Sequence, residues 1–193
     1  MRREWRQMSC VEKRQFIQAV KFWDWTKDSD TLAYSPLLNE LPGFGSDGNP
    51  QADFANGTHG GYCVTDGNFA NHMAAIDYID TSRVTPSSHC VSRRFDPEDP
   101  EGRHSGALIT RSTISDIIAL PDFASFSDAM LNETTGPAVV VPNWMQGDMA
   151  QYTAPNDVLY FLHLTQVGRL WWVWQHQVTA LRLNDYTGRR RND

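Results

Sequence analysis

The chain has no run of eighteen apolar residues, which excludes a membrane-spanning helix of ordinary length. It is short of positive charge. Against 23 Asp and Glu it carries 17 Lys and Arg, a formal net charge of −6. A polyphosphate partner would meet net repulsion, so nucleic-acid binding is excluded as the main function. The one basic cluster, Arg189-Arg190-Arg191, reads as a solvated terminal run. Three cysteines are too few for a disulfide framework; Cys63 and Cys90 can pair, leaving Cys10 over. The opening MRREWRQMSC as written lacks the apolar stretch of a secretory leader, so the expectation is a cytoplasmic or unassigned location. On that expectation the sequons Asn56-Gly57-Thr58 and Asn132-Glu133-Thr134 are chance matches.

Chemical signatures are equally sparse. The six histidines, His59, His72, His89, His104, His163 and His176, include no pair four residues apart, the spacing that lets one helix face hold a metal. There is no Gly-x-Ser-x-Gly elbow, and Gly43-Phe44-Gly45 is too short for a phosphate loop. Asp148 and Asp157 flank an apolar C-terminal region, but spacing alone does not bring them within reach for acid–base work. His163 stands between Leu162 and Leu164 in a segment too apolar for a solvated face.

What is present is helical periodicity broken by loop chemistry. Ser9 and Glu12 fit a capping box for a helix running to about Lys21. Residues 35–67 are rich in Gly, Pro, Asn, Asp and Ser and read as a long irregular region. Phe69, His72, Met73, Ile76 and Ile79 predict a short amphipathic helix, and residues 81–106 read as loop. Ser112 or Thr113 is the expected cap of a helix through Leu120. Pro121-Asp122 opens another, with Phe123, Phe126 and Met130 on one face. A last helix should hold Val167, Leu170, Trp171 and Trp174. No repeat or boundary divides residues 1–193, so the expectation is one mainly α domain with long irregular loops.

Several segments together resemble a known family. Arg3-Glu4-Trp5 with Ser9 and Glu12-Lys13 is similar to the opening of fungal tyrosinases and related polyphenol oxidases. Trp23-Asp24-Trp25 resembles their WDW motif. Residues 60–69, GGYCVTDGNF, and Cys90-Val91-Ser92-Arg93 resemble two central segments. Gly136-Pro137, Asn143-Trp144, Gly147-Asp148-Met149 and residues 156–172 match the frame of the second copper site, which spans residues 123–177 here. The resemblance implies a helical bundle holding two coppers, three histidines on each, that uses dioxygen to oxidise phenols and catechols to o-quinones. Imidazole nitrogens suit copper in both oxidation states.

Carried over position by position, the resemblance also implies loss. The family's first copper segment lies between the opening helix and WDW, where Val20 and Lys21 here run directly into Phe22. At the second site, the family's Gly-Pro-His-x-x-x-His-Asn-Trp is GPAVVVPNW, so Ala138 and Pro142 stand at two ligand positions. Leu164 stands at the third, the second member of a His-His pair, and His163 is the member that does not bind metal. Gly168 replaces an aspartate. Asn143 keeps the place of a residue that in some relatives orients a water. With three β-branched residues and Pro142, whose place inside a helix would cost about 3 kcal/mol, an extended conformation is at least as favourable for 138–142.

The implied function is a tyrosinase-like protein that binds no copper and is inactive as an oxidase. One alternative is an active phenol oxidase whose copper is held unconventionally by His59, His72, His89, His104 and His163, or supplied by a partner. Another is a protein binding phenolic or other flat apolar molecules in an emptied pocket lined by Ala138, Val140, Leu164 and aromatics. Deleting half a bundle would expose a few hundred Å² of the last helix, several kcal/mol at ~25 cal/mol per Å². Self-association through that apolar face, or a marginal monomer, is therefore expected.

Overall fold

The computed structural model describes residues 9, 11, 21–40, 42–52, 60–80 and 83–186. The expected helix over residues 9–21, Cys10, Asn56, His59 and the Arg189–Arg191 run fall wholly or mostly outside these residues. Among the described residues, four short strands precede six helices. They are β1 (Tyr62–Cys63), β2 (Met73–Asp80), β3 (Arg83–Cys90) and β4 (Ser92–Arg93), then α1 (Arg103–Ala107), α2 (Arg111–Ile118), α3 (Phe123–Met130), α4 (Pro137–Met145), α5 (Val158–Gln177) and α6 (Thr179–Arg182). The chain is mainly helical, and the described residues of 35–52 hold one 3-10 turn, at Pro36–Leu38.

The segment after Lys21 enters the core at once. Trp23 and Trp25 are buried, and the Trp23 amide donates to the Leu162 carbonyl of α5 at 3.2 Å. The Trp23 indole and the Ser35 hydroxyl both donate to Asp28 Oδ2, at 2.9 and 2.7 Å, which closes the turn around Trp25–Lys27.

The predicted helix around Phe69–Ile79 is a strand instead. β2 pairs antiparallel with β3 from Met73 opposite Cys90 to Asp80 opposite Arg83, across two register irregularities. The 3–4 spacing misled because Met73 and Ile76 are exposed, whereas Ala74 and Asp77 face inward. Antiparallel pairing with the adjoining segment overrode the local pattern. That segment, residues 83–90, read as loop because of Pro86, which is tolerated in a two-stranded ribbon where each strand has a free edge. β1 pairs with β4, and a Cys63–Cys90 disulfide with Cα atoms 5.4 Å apart ties the two ribbons together.

Helix starts follow local chemistry. The Thr110 hydroxyl accepts from Thr113 N and caps α2, two or three residues ahead of the expected Ser112 or Thr113. Asp122 caps α3 through Ser125 N, and Asp157 caps α5 through Leu159 N. The expected extended conformation of 138–142 is corrected: Pro137 starts α4 at its first turn and Pro142 sits inside it. Val140, Val141, Trp144 and Met145 are buried on this helix, and their packing outweighs the proline's cost.

α5 is the spine of the core. Leu159, His163, Gln166, Leu170 and Trp174 face inward, against Trp23, Trp25, Ile114, Phe126, Val141 and Trp144 of the same apolar cluster. On its opposite side Phe161, Leu164 and Trp172 are 54%, 45% and 56% exposed. No helix among the described residues is long and apolar enough to cross a membrane.

Candidate functional site

Two buried polar anchors hold the region where α4 and α5 meet. Arg93 of β4 forks onto Asp157, with Nε to Oδ2 at 2.7 Å and Nη2 to Oδ1 at 3.0 Å. Its remaining donors go to the carbonyls of Phe44, Gly45 and Ser46, so the long loop is fastened to the start of α5. Asp148, after α4, accepts from Ser92 N and Ser92 Oγ at 2.8 and 3.0 Å, and its other oxygen lies 3.1 Å from His89 Nε2. Gly147 makes this approach feasible. Its φ is +54°, and a Cβ there would lie 2.3 Å from the Ser92 carbonyl oxygen. Asp148 and Asp157, candidates for acid–base work by sequence, are thus inaccessible structural carboxylates. Sequence reasoning missed their partners Ser92 and Arg93 as such, although both lie in one quoted segment, Cys90–Arg93.

Ala138 and Pro142 lie one helical turn apart on the wall of a cavity of about 320 Å³. Asn143, Met149, Tyr152 and Tyr160 also line it. Val140 does not, being buried in the core. Leu164 does not either; it points away, on the exposed side of α5. Ala138, Pro142 and Leu164, the positions that the resemblance marks for ligands, therefore do not line one cavity.

His163 has taken up a structural bond. A helical residue at position 142 would normally donate its N–H to the carbonyl of residue 138, and Pro142 has none to give. His163 Nε2 lies 3.2 Å from that Ala138 oxygen and, as the protonated nitrogen, donates to it. The ring is 1% exposed. Burial drives its pKa down to about 4, with the Ala138 bond opposing, so the imidazole is neutral at pH 7. Its Nδ1 lone pair has no partner among the described residues, and neither does the nearby Trp25 Nε1–H; the ring centroids are 6.3 Å apart.

These residues do not fit copper. Among the side chains of Ala138, Pro142, Leu164 and His163, the one nitrogen lone pair is Nδ1 of His163, whereas a copper centre needs several held at one point. The remaining imidazoles among the described residues are not brought together: His89 is held by Asp148, His72 and His104 are exposed, and His176 stacks on Trp172. Among the described residues no group of three or more His, Cys, Asp or Glu is placed to hold a metal.

The core around α5 and the braced meeting of α4 and α5 define a mainly helical domain. The common central domain of tyrosinase matches residues 7–177, and the chain belongs to the tyrosinase family. It is 35% identical over 181 residues to the tyrosinase-like protein phomQ1 of Diaporthe leptostromiformis, covering 90% of this chain and 45% of that protein. It is 34% identical over 174 residues to the tyrosinase ustQ of Aspergillus flavus, covering 90% and 46%. The chain thus spans about half the length of these curated relatives. A polyphenol oxidase from Thermothelomyces thermophila shares the fold, with a TM-score of 0.63 at 19% identity, over 84% of this chain and 50% of that one.

Proposed function

We propose that this chain is a tyrosinase-family protein that holds no copper and does not oxidise phenols. The observation that carries the reading is the exchange at α4. Pro142 frees the Ala138 carbonyl, and His163 spends its one N–H there. The exposed side chain of Leu164 supports the same reading from the third position. The reading includes the absence of the family's first copper segment between Val20 and Phe22, supported by the sequence running from Val20-Lys21 straight into Phe22-Trp23. The test is metal content and turnover of the full chain produced with added copper. Copper well below one per chain and no o-quinone from catechol are expected; stoichiometric copper with catechol oxidation overturns the reading.

The cavity favours a second reading, a binding protein for flat apolar molecules, phenolics included. Its walls at Ala138, Val139, Pro142, Met149 and Pro155 are apolar, with Asn143, Tyr152 and Tyr160 offering polar atoms. Saturable quenching of intrinsic fluorescence by a phenol series, lost in Ala138→Leu, is expected. No response across the series removes it.

A further inference from the structure

We infer that Asn132 is an N-glycan acceptor in a chain that folds in an oxidising compartment. Two independent observations meet here. The first is the Cys63–Cys90 bond. Both residues are buried, so neither sulfur is open to the exchange that a redox-active pair needs. A buried structural bond closing 27 residues is a feature of chains that mature in the secretory pathway or outside the cell, because the cytosolic thiol pool keeps such pairs reduced. That compartment is also where Asn-x-Thr sequons are read. The bond therefore argues against the cytoplasmic expectation drawn from the opening residues.

The second observation is the turn between α3 and α4. Residues 131–135 are all exposed. Asn132 Oδ1 accepts from Thr134 N and Thr135 N, both at 3.0 Å, and from the Thr135 hydroxyl at 3.1 Å. Its backbone carbonyl accepts from Gly136 N at 2.9 Å. The turn is thus held by the oxygens of Asn132, while Nδ2, the atom that carries a sugar, bonds to no described residue. A glycan attached to the growing chain leaves every hydrogen bond of this folded turn in place. The transfer balances without redox change. Sugar C1 of a lipid-linked oligosaccharide pyrophosphate bonds to Nδ2, its C–O bond to the pyrophosphate breaks, and the amide gives up one proton.

The test has a native and a recombinant arm. The full chain isolated from its own cells is treated with peptide-N-glycosidase in ¹⁸O-water, and the peptide spanning Asn132 is read by mass spectrometry. Conversion of Asn132 to ¹⁸O-labelled Asp is expected. The full chain secreted from a eukaryotic host should show a glycosidase-sensitive band. Asn132→Gln and Thr134→Val should each lose one glycan step, and Asn56→Gln should keep it. Thr134→Val retains the Asn132 oxygens that build the turn, so its loss of the glycan is separable from misfolding. Native peptide recovered wholly unmodified, or a glycan step at this site that survives Asn132→Gln, overturns the inference.

Discussion

At the scale of single residues, His163 decides most. Its neutral ring is stable in the fold because the charged form would be stripped of water. The unfolded chain takes up that proton near pH 6.5 and the folded chain only near pH 4. Between those values the unfolded state binds more protons, so stability falls as pH falls through the window and is complete above it. The loss from this one group is on the order of 3 kcal/mol. His163→Gln can still donate to Ala138 but does not titrate. Urea midpoints measured from pH 7 to pH 4 should fall less steeply in that variant than in the wild type; parallel curves would show that another group sets the slope. Arg93 is the other decisive residue. Arg93→Leu leaves Asp157 buried and unpaired and three carbonyls short of donors, an expected loss of about 3–5 kcal/mol in urea unfolding. Arg93→Lys should rescue little, since an ammonium cannot fork onto a carboxylate and reach the carbonyls together.

At the scale of elements, α5 buries two polar residues among its apolar ones and exposes three large apolar ones. His163 and Gln166 are buried, while Phe161, Leu164 and Trp172 face outward. Gln166 is held inside by Asp24, whose Oδ1 accepts from Nε2 at 3.2 Å. Gly168 sits on the outward stripe, and a Cβ there would meet nothing within 4 Å. Glycine inside a helix costs about 1 kcal/mol relative to alanine. Gly168→Ala should therefore raise the unfolding free energy by about that amount, read as a higher thermal midpoint. A lower midpoint would mean that the glycine serves a contact outside the isolated chain. In α4 the missing N–H of Pro142 and the bond from His163 are one unit, so Pro142→Ala alone gains a helical bond at the expense of the imidazole's.

At the scale of the whole molecule, the fold depends on covalent and surface terms together. The Cys63–Cys90 link closes a 27-residue separation, for which chain entropy predicts about 3–4 kcal/mol. Reduction, or Cys63→Ser with Cys90→Ser, should lower the urea midpoint accordingly. Phe161, Leu164 and Trp172 form an exposed apolar stripe, and we propose that the chain self-associates through it at high concentration. Sedimentation velocity should show a mass that rises with concentration, and Leu164→Glu with Trp172→Glu should hold the chain monomeric; a single species at all concentrations in the wild type contradicts this.

The family was legible in the sequence, because Trp23-Asp24-Trp25, Cys90–Arg93 and residues 136–172 keep their order along the chain. So were the capping of α3 by Asp122 and the inward face of Phe126 and Met130, which depend on neighbours within one or two turns. The β2–β3 ribbon, the helical state of residues 138–142 and the outward turn of Leu164 were decided only by tertiary structure. Each is set by partners beyond the local helical spacing: β2 by pairing with the adjoining residues 83–90, α4 by its buried packing and the imidazole of His163, Leu164 by which side of α5 meets Trp23 and Trp25. Local spacing carries propensity, a fraction of a kcal/mol per residue, whereas burial and long-range pairing contribute several, so where the two disagree the distant partner wins.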